Sequence, residues 1–177
     1  MALWVTKQRA NAGPVFGSQD RFEGLGIFLD TYKNDRPGTV FPYVMAMLGK
    51  YHPLCHTKWH VQLTLQSGDG QTSYNHGNDG KDQEVAGCSA RGIRAASIPT
   101  KLRLIYFQES FLQLDLQHKD EKTWQTCFNI SNVTLPTVSY LGFTAHCGEL
   151  SGKINFPNLL PSYYIEFRNI SFFSRCL

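Results

Sequence analysis

The hydrophobic and polar positions along the chain form short apolar runs separated by turns. The runs are rich in β-branched and aromatic residues, and the intervening stretches are rich in Gly, Pro, Asn, Asp and Ser. Such runs are typical of strands, and the residues between them are typical turn formers. No helical periodicity is sustained along any segment. The predicted strands are residues 2–6, 22–29, 41–48, 61–65, 101–107, 111–116, 124–130, 140–145 and 163–167.

This series of short strands predicts an all-β protein, a β-sandwich or jelly roll. A length of 177 residues suits one domain with a substantial core. The aromatic content of 13% and the charged content of 18% favour β structure as well. The net charge is only +3 and no run of Lys or Arg occurs, so we expect no nucleic-acid partner.

Oxygen donors cluster at the end of the predicted strand 22–29. Asp30 is followed four residues later by Asn34, with a free backbone carbonyl between them at Tyr32. Calcium prefers carboxylate, amide and carbonyl oxygens of this kind. The stretch 73–80 offers a second half-site, in which Asp79 lies on a glycine-bracketed turn beside His76. Asp and Asn are also common turn residues that bond their own backbone, so both interpretations stay open at this point.

Other metal sites and catalytic motifs receive less support. An EF-hand loop starting at Asp30 is excluded, because its sixth residue is Asp35 rather than Gly and its twelfth is Phe41 rather than Glu. A glycoside hydrolase needs two carboxylates facing one cleft, whereas Asp115 stands alone on its strand. No G-x-S-x-G occurs. The segment 50–68 has spacing compatible with a local zinc site, formed by His52, Cys55, His56 and His60.

The cysteines and glycosylation sequons bear on the compartment. The chain has five cysteines and no C-x-x-C motif. Three N-glycosylation sequons begin at Asn129, Asn132 and Asn169, which favours a secretory lumen. No apolar stretch is long enough to span a membrane, and the N-terminal residues do not have the pattern of a signal peptide.

Several ordered motifs resemble one family. They are MALWVTKQR, GLGIFLDTYKND, FPYVMAM, SYNHGNDG, AGCSAR and GFTAHCGELS, which together extend over most of the chain. In sequence and order they resemble the L-type, or legume-lectin-like, mannose-binding lectins of the animal early secretory pathway. This family consists of type I membrane cargo receptors of the endoplasmic reticulum, intermediate compartment and Golgi. The resemblance implies a legume-lectin-like jelly roll that binds high-mannose N-glycans on cargo glycoproteins in a calcium-dependent manner, without enzymatic activity.

The resemblance also assigns site residues. Calcium would be held by the Asp30 carboxylate, the Tyr32 carbonyl, the Asn34 side chain and Asp79. A second set would contact the sugar: Asn34, His76, Gly148, Glu149 and Leu150. Glu149 stands where the family usually has Asp. Cys88 and Cys127 match the family's disulfide. Tyr32 and Phe28 are the nearby aromatic residues for stacking on a sugar, although each also suits the core.

Departures from the family pattern predict an incomplete jelly roll that lacks the N-terminal strands. The family's Gly-Asp-Gly, with an aspartate important for sugar and calcium, precedes the ALW strand and is not in this sequence. We expect a partial lectin domain over 1–151, an extra segment at 50–68 and a divergent tail at 152–177. Membrane attachment would require a segment that this sequence does not contain. The alternative function is a non-binding isoform that acts at most as a protein-interaction fragment.

Overall fold

The computed structural model describes residues 1–9, 11–48, 65–66, 70–94, 96–146, 154–155 and 171–172, with only the backbone described for the three two-residue pieces. These residues are almost entirely strands and connecting loops. In chain order the strands are β1 (Ala2–Thr6), β2 (Gly24–Asp30), β3 (Tyr43–Leu48), β4 (Leu65–Gln66), β5 (Glu84–Ser89), β6 (Lys101–Phe107), β7 (Phe111–Gln117), β8 (Gln125–Ser131), β9 (Val133–Thr134), β10 (Tyr140–Thr144), β11 (Ile154–Asn155) and β12 (Ser171–Phe172).

Two main antiparallel sheets make up the fold. The larger has the order β10-β1-β2-β3-β5, and the smaller has the order β6-β7-β8. Two further pairs are short: β4 lies parallel to β9, and β11 lies antiparallel to β12. The predicted all-β sandwich is therefore confirmed.

Apolar side chains are buried on both faces of the larger sheet. On β1, Leu3 and Val5 belong to the main core, which also contains residues from β6, β7 and β8. Trp4 points to the opposite face, as the alternation of a strand requires. There it packs edge-on against Phe28, with ring centroids 5.3 Å apart, beneath the loop that contains Phe22. This second core supports the loops beyond β2.

A disulfide connects the two sheets. Cys88 on β5 and Cys127 on β8 are bonded, with their Cα atoms 5.3 Å apart. This is the pair that the family resemblance implies. Because β5 and β8 are edge strands of different sheets, the bond holds the two layers of the sandwich together at that side.

Seven observed strands follow the sequence predictions, with small shifts at their ends: β1, β2, β3, β6, β7, β8 and β10. The sequence did not predict four others, the six-residue β5 and the short β9, β11 and β12. β3 begins at Tyr43, after Pro42, which has no N–H to donate to a strand ladder. Predicted strand 163–167 lies outside the described residues, as does 61–65 apart from Leu65 in β4. Two short 3-10 helices, His76–Asn78 and Lys81–Gln83, occupy what the sequence indicated only as turns. Neither these helices nor any other helix in the described ranges has the length and apolarity to cross a membrane.

Candidate functional site

The candidate site forms where two loops meet beside the larger sheet. The first loop begins at Asp30, the last residue of β2, and the second contains the helix His76–Asn78. Asp79 joins the loops directly. Its carboxylate accepts a hydrogen bond of 2.9 Å from the backbone N–H of Asn34 and another from the Asn34 Nδ2. Residues 45 positions apart are thus brought together, as the sequence predicted.

Local backbone geometry fixes the position of Asp79. It adopts a left-handed conformation, with φ of 51°, at the C-terminal end of the short helix. Asp tolerates this conformation better than most residues because its short side chain bonds locally. Asn75 caps the start of the helix by accepting from the N–H of Gly77 at 3.0 Å. Gly80 also has a positive φ, of 66°, and a Cβ there would overlap the ring of Tyr74. This turn therefore places Asp79 in the interior, where it is only 3% exposed.

Negative charge is concentrated between the loops. The Asp30 carboxylate accepts a hydrogen bond of 3.0 Å from the backbone N–H of Tyr32, which orders the beginning of its loop. Burial raises the pKa of Asp30, and the neighbouring Asp79 carboxylate raises it further. Burial also raises the pKa of the Tyr74 hydroxyl, with both carboxylates adding to the effect. A cation between Asp30 and Asp79 would relieve this repulsion.

The donor chemistry fits a calcium ion. Asp30 and Asp79 supply carboxylates, Tyr32 supplies a carbonyl and Asn34 supplies a side-chain amide, all of which are hard oxygen donors. Rotation of the Asn34 amide about its last bond would exchange Nδ2 for Oδ1 on the side that faces Asp79. Within the described ranges no three His, Cys, Asp or Glu side chains converge on one point. The candidate site accordingly depends on two carboxylates together with carbonyl and amide oxygens.

Arg36 supports both loops from beneath, a role that sequence reasoning missed. It is 3% exposed, and its guanidinium donates to the Asp79 carbonyl at 3.2 Å and to Thr39 Oγ1 at 3.0 Å. It also forms an ion pair with Glu84 and lies 4.4 Å from the centre of the Tyr43 ring. These contacts fix the backbone on both sides of the Asn34–Asp79 connection.

Tyr43 completes this support from β3. Its hydroxyl donates to Glu84 Oε1 at 2.6 Å. Burial and the Glu84 carboxylate raise the pKa of Tyr43 to about 12. The hydroxyl consequently remains a protonated donor at neutral pH, and it keeps the Glu84 carboxylate in place for Arg36.

Asp20 anchors the second loop from another direction. Its carboxylate accepts from the backbone N–H of Tyr74 at 2.8 Å and from the Ser73 hydroxyl. Burial alone would raise the pKa of Asp20, but these hydrogen bonds outweigh it and hold the pKa below its ordinary value. No sequence signal distinguished Asp20, because its partners lie more than fifty residues away.

The residues assigned to the sugar differ in their exposure. Tyr32 is 68% exposed, whereas Phe28 is fully buried and stacked on Phe16 with ring centroids 4.8 Å apart. Only Tyr32 of these two aromatic candidates is therefore free to stack on a ligand. His76 is exposed beside Tyr74, with ring centroids 5.0 Å apart. The remaining sugar-contact candidates lie outside the described residues: Gly148, Glu149 and Leu150.

The other chemical candidates from the sequence do not add to this site. Asp115 is 1% exposed and accepts hydrogen bonds from Arg103, Gln113 and Thr126. Burial alone would raise the pKa of Asp115, but these bonds outweigh it and lower the pKa. Its role is to connect three neighbouring strands. The histidine- and cysteine-rich zinc candidate at 50–68 lies outside the described residues.

Comparisons with known proteins show which family the chain resembles in sequence and fold. The family described as "Legume-like lectin family" matches residues 1–58 and 51–167. An L-type lectin-like domain-containing protein of Schizosaccharomyces pombe is 34% identical over 160 residues, covering 90% of this chain and 45% of the relative. Human vesicular integral-membrane protein VIP36 is 39% identical over 153 residues, covering 85% of this chain and 37% of the relative. This chain thus spans less than half the length of both relatives.

A solved structure shares the fold as well. The VIP36 exoplasmic/lumenal domain, in its Ca2+/Man3GlcNAc-bound form, matches with a TM-score of 0.69 and 35% identity. The match covers 96% of this chain and 59% of that one. Family profile, sequence identity and fold are in agreement, and the chain belongs to the legume-like lectin family.

Proposed function

We propose that this protein binds calcium between its two loops and, through the ordered loops, binds high-mannose glycans on glycoproteins. The observation that carries the proposal is the connection between Asn34 and Asp79, which unites the two predicted half-sites across the fold. The structure of VIP36 with Ca2+ and Man3GlcNAc supports it, because that domain has the same fold. The relatives are more than twice as long as the matched region. Sugar binding by this chain is therefore proposed separately from sugar binding by the longer relatives.

Calcium would be held by Asp30, the Tyr32 carbonyl, Asn34 and Asp79. When bound, the ion supplies positive charge that offsets the two carboxylates and fixes the direction of the loop oxygens. Asn34 lies at the junction of the two loops, so its amide is available to both the metal and a sugar hydroxyl. His76 would donate to or accept from a mannose hydroxyl at the rim. Tyr32 offers an exposed ring to the apolar face of a sugar.

The remaining contacts belong to the same proposal. The sugar would also contact three residues of the family's sugar-contact loop, namely Gly148, Glu149 and Leu150. The ligand would be bound without being cleaved, as the family of legume-like lectins suggests. A small sugar buries little apolar area, so we expect affinity per site in the range of about millimolar to micromolar.

Location and domain limits are also proposals. We infer a lumenal location in the early secretory pathway, which the disulfide Cys88–Cys127 supports because such bonds persist in oxidising compartments. We assign residues 1–151 to the lectin domain, 50–68 to an extra segment within it and 152–177 to a divergent tail. The two-part family match, over 1–58 and 51–167, supports an interruption near residue 50.

The test is calorimetric titration of the refolded full chain, first with calcium and then with a high-mannose oligosaccharide. We expect the glycan to bind only after calcium, and an Asn34→Ala variant to lose the glycan signal. Calcium binding without glycan binding would overturn the sugar half of the proposal and leave a metal-stabilised fold. A cooperatively folded chain that binds neither would overturn both halves and favour the alternative of a non-binding interaction fragment.

A further inference from the structure

The turn between β8 and β9 contains a sequon whose asparagine is exposed to solvent. Asn132 is exposed, with φ of 58°, and begins the sequence Asn132-Val133-Thr134. Its backbone N–H donates to the Ser110 carbonyl at 2.7 Å, which fixes the turn. Its side-chain amide has no hydrogen-bond partner among the described residues. Asn accepts this left-handed conformation more readily than most residues do.

We propose that Asn132 is a site of N-linked glycosylation. In the transfer, Asn132 Nδ2 forms a bond to the anomeric carbon of an oligosaccharide carried on a lipid pyrophosphate. The bond from that carbon to the phosphate oxygen breaks, and the lipid pyrophosphate leaves with the electron pair. The amide proton passes to a base of the transferase. The inference rests on the lumenal location in the proposed function, because the donor and its transferase operate in that compartment.

The neighbouring sequon at Asn129 is a poorer acceptor. Asn129 lies within β8, paired in register with Gln113 on β7, and its Nδ2 donates to Gln113 Oε1 at 3.0 Å. Modification there has to compete with formation of the strand ladder. The third residue of that sequon is Ser131, whereas Asn132 has Thr134, and threonine sequons are the better acceptors in general. The two sites are three residues apart, so one bulky glycan also hinders addition of the second.

The position of Asn132 leaves the candidate calcium site open. Asn132 follows the end of β8 that pairs with Phe111, at the start of β7. The opposite end of β7 leads to His118, whose Nε2 lies 3.0 Å from the Arg91 carbonyl. The turn that contains Arg91 also contacts the loop after Asp30, because the Arg94 guanidinium donates to the Thr31 carbonyl. β7 has seven residues, so the ends of this sheet are separated by roughly 20 Å. A glycan on Asn132 therefore projects away from the sugar-binding loops.

The test uses the full chain behind a cleavable signal sequence, translated with microsomes and digested with protease to select translocated chains. We expect a glycosidase-sensitive mobility shift that is lost in Asn132→Asp and in Thr134→Ala. Asn132→Asp removes the acceptor amide yet keeps a residue that suits the left-handed turn. Asn129→Asp is the matched control and should retain the shift. All of these variants also contain Asn169→Gln, which removes the third sequon; Asn169 lies outside the described residues.

Mass spectrometry assigns the site independently. Trypsin leaves Asn129 and Asn132 in one peptide, residues 123–153, and places Asn169 in another. Glycosidase release in heavy-oxygen water marks the modified asparagine, and fragment ions between the two positions locate it. A mark at Asn132 is the expected result.

Two results would overturn the inference. One is a translocated, protease-protected chain that carries no glycan at Asn132. The other is a shift that Asn129→Asp removes and Asn132→Asp retains. Failure of the proposed function is a separate result. It is measured as loss of calcium or glycan binding by an unmodified bacterial product, and it does not alter the glycosylation outcomes above.

Discussion

Substitution of Asp79 by Asn isolates the charge that the calcium proposal requires. The two side chains have the same shape, and Asn is also tolerated in the left-handed conformation of residue 79. The Asn34 N–H retains an oxygen acceptor, because the new amide still has one. The substitution thus removes one of two carboxylates from the donor set while preserving the loop geometry.

The effect on stability without calcium should be small. Hydrogen bonds to ionised acceptors are about twice as strong as neutral ones. The single oxygen of the new amide serves the Asn34 backbone N–H, and the Asn34 side chain rotates so that its Oδ1 accepts from the new NH2. Exchange of two charge-assisted bonds for two neutral ones costs about 1–2 kcal/mol. Relief of the repulsion between Asp79 and Asp30 acts in the opposite direction. We expect a net change in the free energy of unfolding of about 1 kcal/mol or less.

The effect on calcium stabilisation should be large. Calcium at a hundred times its dissociation constant stabilises the native state by about 2.7 kcal/mol. For a chain of this size, 1 kcal/mol corresponds to roughly 2–4 °C, so the melting temperature of the native protein should rise by roughly 5–11 °C. The Asp79→Asn variant should show no such rise at the same calcium concentration.

Thermal denaturation with calcium and with chelator measures this difference. The matched control is Asp82→Asn, because Asp82 is exposed on the adjacent short helix and, among the described residues, accepts hydrogen bonds from Asn75 and Asn78 alone. This control should keep the full calcium-dependent rise. A rise that persists in Asp79→Asn, or that disappears in Asp82→Asn, would refute the assignment of the metal to the Asn34–Asp79 junction.

Three further predictions follow from the surrounding contacts. Arg36→Lys should reduce the free energy of unfolding by about 2–4 kcal/mol in urea denaturation and weaken calcium binding. The reason is that Lys lacks the planar guanidinium that contacts Glu84 and the Asp79 carbonyl together. Unchanged calcium affinity would contradict this. Tyr32→Ala should lower glycan affinity about two- to tenfold in calorimetry and leave calcium affinity intact, because the ring stacks while the backbone carbonyl binds the metal; equal losses of both would contradict it. Asp115 has a lowered pKa in the folded state, so its stabilisation is present above the ordinary carboxyl pKa of 3.8 and is lost as pH falls through the lower folded value. Asp115→Asn should therefore cost about 2–3 kcal/mol at neutral pH, through the unpaired Arg103, and flatten the acid end of the pH–stability curve; the same curve as the native protein would disprove the assignment.

Most of the longer strands and the first half of the site are readable from local sequence, whereas β5 is not. β1 and β7 have the apolar, β-branched and alternating patterns that a sheet requires, and both were predicted within one residue of their ends. Asp30 and Asn34 are close in sequence, so their shared chemistry is visible as a motif. The pairing of Cys88 with Cys127, by contrast, came from resemblance, because several pairings of five cysteines are consistent with the sequence.

The supporting residues could not be predicted, because their roles arise from contacts that only the fold creates. Arg36 and Glu84 form an ion pair across 48 positions, and nothing next to Arg36 in the sequence marks it as buried. Asp20 is similarly an ordinary loop residue until Tyr74 is folded against it. Propensity indicates where the chain turns, whereas tertiary packing decides which polar residues face inward.

The central claim is that calcium ordering of two loops creates a glycan site, and the most direct measurement is retention on an immobilised high-mannose glycoprotein. The folded chain is loaded with calcium, washed, and then challenged with either a calcium chelator or free mannose. We predict retention in calcium and release by either agent, with no retention of the Asp79→Asn variant. A folded, calcium-loaded chain that flows through, or one whose retention survives both the chelator and mannose, would contradict the account.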